Sequence, residues 1–244
     1  MSDASRRDQL AESLRALRAR IDAACARANR APDDVRLLAV TKRFPAADAA
    51  LLLDLGVANL AENRAQEAVG KAAELARLRP AAPARWHMVG RLQRNKARSV
   101  VTWADEVQSV DSPALAEALA KAVRGRAELG DGPATMDVMI QVSLDDDPAR
   151  GGCPAAGLPR LAERIAESGE LRLIGLMAVA PLLARPEGAF GRLAELAATL
   201  RADHPHATEI SAGMSGDLEV AIEYGSTCVR VGTALLGGRP LASP

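Results

Sequence analysis

The chain has 244 residues, 48% of them hydrophobic but only 2% aromatic, and its 31 basic and 31 acidic side chains give a formal net charge of zero. Such a length suits one large domain with a sizeable core, much of it built from alanine, leucine and valine. The charge balance leaves no electrostatic footprint for nucleic acid or an anionic membrane, and so few rings offer no stacking platform for single-stranded nucleic acid.

Leu10, Leu14, Leu17, Ile21 and Ala28 recur at helical spacing, so a long amphipathic helix is expected over 5–29, ended by Pro32 and Asp33. Short apolar runs then predict strands at 35–42, 57–62, 84–90, 106–111, 137–143, 172–179, 208–213 and 228–235. Helical patterns fall between them, at 62–79, 113–129, 157–168, 188–202 and 217–224. Asp111 and Ser112 before Pro113 read as a cap with proline in the first turn, and Gly56 and Gly169 mark helix ends. Strands alternating with helices imply a parallel sheet, and eight such units imply an α/β fold closed as a (β/α)8 TIM-type barrel. An open doubly wound sheet would place a glycine-rich turn after its first strand, where this chain has Thr41-Lys42-Arg43-Phe44-Pro45. The expected organisation is a single domain over 1–244, with the N-terminal helix ahead of a barrel spanning about 35–237.

Basic charge is carried almost entirely by arginine, and the four lysines are Lys42, Lys71, Lys96 and Lys121. An amine can form a Schiff base and a guanidinium cannot, so a lysine at the end of the first strand is a chemical candidate. The plainer alternative is a strand-end lysine reaching into water. In such barrels the functional face lies at the carboxyl ends of the strands, with phosphate sites in the loops after strands seven and eight. There this chain offers the Ser215 hydroxyl, a helix opening at Gly216-Asp217, the bare backbone of Gly232, and Thr233. Opposite Lys42, these pieces describe a site for a phosphorylated aldehyde.

Taken together the motifs resemble the pyridoxal phosphate homeostasis protein family, whose barrel is similar to the N-terminal domain of alanine racemase. The matching pieces are Ala39-Val40-Thr41-Lys42, Glu62-Asn63, Trp86-His87-Met88-Val89-Gly90 with Leu92-Gln93-Arg94-Asn95-Lys96, Gly175-Leu176-Met177, Gly213-Met214-Ser215-Gly216-Asp217 and Val229-Arg230-Val231-Gly232-Thr233-Ala234. The resemblance implies that Lys42 holds pyridoxal 5′-phosphate (PLP) as a Schiff base. It implies that Ser215, Gly232 and Thr233 grip the phosphate, that Arg230 faces the pyridine nitrogen, and that Asn63 and His87 line the cofactor. Period-two geometry puts Arg230 and Gly232 on one face of their strand. The chain departs from the family at Ala61, where glycine is usual, at Arg64, where tyrosine is common, and at Arg150-Gly151-Gly152, where Lys-x-Gly is common.

The resemblance also implies a carrier or buffer in intracellular PLP homeostasis, serving PLP-dependent apo-enzymes, and not an enzyme. An always-charged arginine at the pyridine nitrogen disfavours electron-sink chemistry. Racemisation in alanine racemase also draws a second base, a tyrosine, from a separate domain. This chain ends soon after strand eight, and its one tyrosine is Tyr224. A weak PLP-dependent racemase is the alternative, and a barrel for some other phosphorylated metabolite a third.

Other features carry plainer readings. His87 can equally be a hydrogen-bonded core histidine. Asp145-Asp146-Asp147-Pro148 reads as a polar turn, not a metal site, and Arg91, Arg94, Lys96 and Arg98 as a solvated basic cluster. Met177 reads as packing. Cys25, Cys153 and Cys228 show neither zinc spacing nor a disulfide framework, and no apolar run approaches the ~20 residues that span a bilayer. Its polar N-terminus is no secretory signal. The expectation is a cytoplasmic monomer.

Overall fold

In the computed structural model, which describes residues 3–145, 147, 151–181 and 185–238, eight parallel strands close into a barrel. They are β1 (Arg36–Val40), β2 (Asn59–Glu62), β3 (Arg85–Met88), β4 (Glu106–Val110), β5 (Met136–Gln141), β6 (Leu171–Met177), β7 (Glu209–Ser211) and β8 (Cys228–Val231). Each pairs with its neighbour in sequence, and β8 returns to β1 with Leu38 opposite Arg230. Around them run α2 (Ala46–Asp54), α3 (Ala65–Leu78), α4 (Ala97–Val100), α5 (Pro113–Glu128), α6 (Leu158–Ala166), α7 (Pro186–Asp203), α8 (Leu218–Glu223) and α9 (Thr233–Leu236), preceded by α1 (Asp3–Arg27).

The strand sequences build this sheet because alternate residues face opposite ways. Leu60, Trp86, Met88, Val107, Val138 and Ile140 belong to the main buried cluster shared with the helices. The opposite face holds a small apolar plug of Leu38, Val40, Ala61 and Cys228. The rest of the lumen is polar. Arg36 on β1 reaches Glu106 on β4 at 3.1 Å, and Ser211 on β7 reaches Gln108 on β4 at 2.7 Å. Neither pair is on adjacent strands, so both contacts cross the barrel interior.

α1 buries Leu10, Leu14, Leu17 and Ile21 and packs on α8, α9 and α2. Two ion pairs fasten it, Arg6 to Asp48 and Arg20 to Glu219, each at 2.7 Å. It therefore braces the barrel of its own chain.

Three expectations need correction. The first strand stops at Val40, and Lys42 lies in a turn. The eighth stops at Val231, because Gly232 leaves the extended region and Thr233–Leu236 coils into one helical turn. Ser112 does occupy the cap position of α5, but its hydroxyl bonds the Asp111 carboxylate and caps no backbone N–H. Gly56 and Gly169 adopt the left-handed backbone just past α2 and α6, as helix-ending glycines do. Arg150, Asp146 and Pro148 lie outside the described residues.

Candidate functional site

At the carboxyl ends of β1, β2 and β8 a cavity of about 420 Å³ opens, lined by Lys42, Arg43, Phe44, Asn63, Gly232 and Thr233 among others. A larger hollow of about 680 Å³ lies among Arg98, Lys121, Arg126 and Leu129 on α4 and α5, on the barrel's outer wall. Strand-end chemistry belongs to the first.

Lys42 is the one lysine that lines this cavity. Its side chain is exposed and makes no hydrogen bond or ion pair among the described residues. The turn that carries it is pinned from beneath. Thr41 is fully buried, its hydroxyl donates to Glu62 Oε1 at 2.7 Å, and its carbonyl accepts from Phe44 N at 3.0 Å and Lys71 Nζ at 2.8 Å. Lys71 also pairs with the buried Glu62 carboxylate at 2.5 Å, so its amine is committed. Arg43 follows with φ of 65°, a left-handed conformation uncommon for a residue with a Cβ. The backbone at Lys42 is thus held while its amine stays free.

Asn63 is half-buried in the cavity wall, and Gly90 packs directly on its backbone. A Cβ on Gly90 would overlap the Asn63 carbonyl, with backbone on both sides of the clash. Gly90→Ala is therefore expected to cost at least ~1–3 kcal/mol, as overpacking does, and to displace Asn63. A thermal melt checks the first effect and the chemical shift of the Asn63 side-chain amide the second.

Two loops meet beside the cavity, and of their predicted site residues Gly232 and Thr233 line it while Ser215 does not. Ser215 Oγ accepts a hydrogen bond from Ala234 N at 3.2 Å, and its own proton has no acceptor among the described residues. Thr233 opens α9, where the first N–H groups have no partner within the helix. The β7–α8 loop is shaped by Gly213 (φ 91°), where a Cβ would come within 2.7 Å of Ala221, and by the Asp217 carboxylate accepting from Met214 N at 2.6 Å. α1 holds both loops from outside. Arg20 donates to the Ser215 carbonyl at 2.9 Å while pairing with Glu219, and Arg6 donates to the Leu236 carbonyl at 3.0 Å. Sequence reasoning missed both arginines, since nothing local marks one arginine of an amphipathic helix over another.

Arg230 lies on β8 with 5% exposure. Its Nη1 donates to Ser211 Oγ and its Nη2 to the Ala178 carbonyl, each at 2.7 Å. Burial pushes its guanidinium below the usual range. Among the described residues it has no carboxylate within 4.0 Å. A buried cation without a counter-ion is costly, and such a group calls for an anionic or strongly accepting ligand.

His87 is not brought to the cavity. It is fully buried in the lumen, with Nε2 3.1 Å from Asn59 Oδ1 and Nδ1 3.2 Å from Glu106 Oε2. Burial lowers its pKa, and the contact with Glu106 works against that shift. Glu106 is also fully buried. Burial alone would raise its carboxyl, but His87, the Arg36 charge and the Gln108 amide together hold it down at about 2. Arg85 bridges Glu106 to Asp137, and Arg172 closes on Asp137.

The remaining candidates are structural. Met177 is buried, and all three cysteines are buried free thiols whose pKa burial raises. Arg91, Arg94 and Arg98 are exposed, and Lys96 is half-buried. Tyr224 caps the end of α8 and touches the backbone at Gly191 on α7, away from the cavity lining. No group of acids, histidines and cysteines among the described residues could hold a metal ion, and no helix there is long and apolar enough to cross a membrane.

Comparison with known proteins places this geometry. Residues 13–240 match the family of the alanine racemase N-terminal domain. The pyridoxal phosphate homeostasis protein of Mycobacterium tuberculosis is 46% identical over 248 residues, covering 98% of this chain and 96% of that one. A crystal structure of an unknown protein from Bifidobacterium adolescentis is 32% identical with a TM-score of 0.88, covering 96% of this chain and 97% of that one. PipY of Synechococcus elongatus, solved with PLP bound, is 35% identical with a TM-score of 0.76, covering 93% and 100% of the two chains.

Proposed function

The chain belongs to the pyridoxal phosphate homeostasis protein family, with the fold of the alanine racemase N-terminal domain, and on that premise we propose that it holds PLP on Lys42 as a carrier or buffer. The observation that carries this reading is the uncommitted Lys42 amine in the same cavity as Gly232 and Thr233. When bound, PLP supplies an aldehyde that condenses reversibly with an amine.

The chain's own residues divide the remaining work. Ser215 would donate its free hydroxyl proton to the phosphate, and the backbone at Gly232 and Thr233 would offer N–H groups. Arg230 would donate to the ring nitrogen and, as a guanidinium, would keep it an acceptor. Asn63 walls one side, while His87 acts only through the lumen. Lys42 is exposed, so an aldehyde held there would be open to other amines. In this reading the protein is a cytoplasmic monomer that hands PLP to apo-enzymes.

The carrier reading is supported by the family's naming and by Tyr224, which lies away from the cavity where a second base would be needed. Incubating the PLP-loaded protein with α-deuterated amino acids is expected to give no Lys42-dependent loss of deuterium. Washout that Lys42→Ala abolishes would make the protein an enzyme. On the phosphate side, Ser215→Ala removes one hydrogen bond to a charged group, a loss of about 1.5–3 kcal/mol, or roughly 10- to 100-fold in PLP affinity. Spectrophotometric titration with PLP, with inorganic phosphate as competitor, measures it.

A further inference from the structure

We infer that Ser211 and Gln108 are positioning residues for Arg230, forming a one-way hydrogen-bonded relay that runs across the barrel lumen from the buried Glu106 carboxylate. The relay has four members. Gln108 Nε2 donates to Glu106 Oε1 at 2.8 Å, Ser211 Oγ donates to Gln108 Oε1 at 2.7 Å, and Arg230 Nη1 donates to Ser211 Oγ at 2.7 Å. Gln108, Ser211 and Glu106 are all fully buried, so every link lies away from bulk solvent.

Its direction follows from the chemistry of its two ends. An ionised carboxylate only accepts, and a guanidinium only donates. Gln108 must therefore turn its NH2 to Glu106, because a flipped amide would set oxygen against oxygen. Its carbonyl then faces Ser211 and takes the hydroxyl proton. Ser211 is left with only lone pairs for Arg230. No other arrangement satisfies all four groups.

The consequence reaches the cavity. Among the described residues Arg230 has no carboxylate within 4.0 Å, and Asp217 on the β7–α8 loop attracts its charge. Ser211 on one terminal nitrogen and the Ala178 carbonyl on the other fix the plane of the guanidinium. Arg230 is not itself part of the cavity lining, and its other N–H groups then keep one orientation, from which the PLP reading has it meet the pyridine nitrogen. Glu106 in turn is set by Arg36, Arg85 and Gln108, so the anchor of the relay is the ionic cluster of the lumen. The inference rests on the PLP reading for the identity of the ligand, while the relay itself does not depend on it.

The test uses full-length Ser211→Ala, Ser211→Thr and Gln108→Met, each titrated with PLP and followed by visible absorbance and by the rate of PLP release to excess apo-acceptor or free amine. Ser211→Ala and Gln108→Met are expected to release PLP about tenfold faster, as loss of a charge-assisted hydrogen bond does. Both are expected to shift the visible maximum. Ser211→Thr keeps the hydroxyl and restores the wild-type rate and maximum. Gln108→Met preserves volume, so circular dichroism and a thermal melt separate loss of positioning from loss of fold. Variants that stay folded with wild-type release rate and maximum overturn the relay. So does a Ser211→Thr protein that behaves as Ser211→Ala. If wild-type protein itself develops no visible band with PLP, the ligand reading fails. The relay is then judged by the guanidinium Nε–H resonance of Arg230, which must sharpen in wild type and Ser211→Thr and broaden in Ser211→Ala.

Discussion

Lys42→Ala is expected to lose the whole visible band of bound PLP and every borohydride-stable adduct, while the PLP-free protein melts within about 2 °C of wild type. The two halves follow from one observation. Lys42 contributes no hydrogen bond or ion pair to the fold among the described residues, and surface changes of that kind stay within about 0.5 kcal/mol. Its amine is also the only lysine amine in the cavity. Lys71 supplies the contrast. It lies on α3 with its amine against the Thr41 carbonyl beneath the Lys42 turn, but its role is opposite, because it pairs with a carboxylate that is completely buried. Lys71→Ala leaves that charge without its partner, a loss of about 3–5 kcal/mol, yet should keep the adduct. An adduct that survives in Lys42→Ala and disappears in Lys71→Ala would exchange the two roles.

The second large effect lies deep in the lumen. Glu106 is held at about 2, against an ordinary value of 4.5. A carboxyl whose folded-state pKa is depressed stabilises the fold above its unfolded value, and that stability is lost as pH falls through the folded one. The barrel should therefore weaken between about pH 4.5 and pH 2, by roughly 3 kcal/mol from this group. Glu106→Gln removes the anion while Arg36 and Arg85 remain charged around it. It is expected to cost about 3–5 kcal/mol at pH 7, roughly 10 °C in Tm for a chain of this size. Thermal melts of both proteins from pH 3 to 7 check it. Wild type should lose stability toward acid, and the variant should start lower and lose less. Parallel curves would assign the acid sensitivity elsewhere.

Much of the barrel was legible because it is written in local periodicity. All eight strands and the long first helix announce themselves as apolar runs and a 3.6-residue stripe. The ends of strands were less legible. Val229, Val231, Ala234 and Leu235 keep the segment strand-like, and Gly232 is the one hint that the backbone leaves the sheet there to make the one-turn helix α9. The same holds at Lys42, where the strand stops two residues early and the turn is fixed by Thr41, Glu62 and Lys71, partners up to 30 residues away.

The polar lumen was the least legible part. His87 sits in an apolar strand, and sequence alone cannot choose between a ligand contact and a core partner. Its neighbours Asn59 and Glu106 are brought to it by strand register, 28 and 19 positions away. The link from Ser211 to Gln108 spans 103 positions and crosses the barrel. One signal was available. Arg36, Glu106, Asp137, Arg172 and Glu209 each stand at or next to the first residue of a strand, and charges repeated at that point mark an ionic layer at the amino-terminal end of the lumen. Motifs marked Lys42, Asn63, Gly232 and Thr233, which line the cavity, and also Ser215, Arg230 and His87, which do not. What supports them from behind, such as Arg20 on the Ser215 carbonyl, depends on packing that no motif records.

The proposal that PLP is held on Lys42 has one direct test. The purified protein is titrated with PLP, its visible spectrum recorded, the sample reduced with borohydride and the adduct mapped by peptide mass. The account predicts a saturable band and a single adduct on the peptide carrying Lys42. A band with the adduct on Lys71, Lys96 or Lys121, or no band at any PLP concentration, would contradict it.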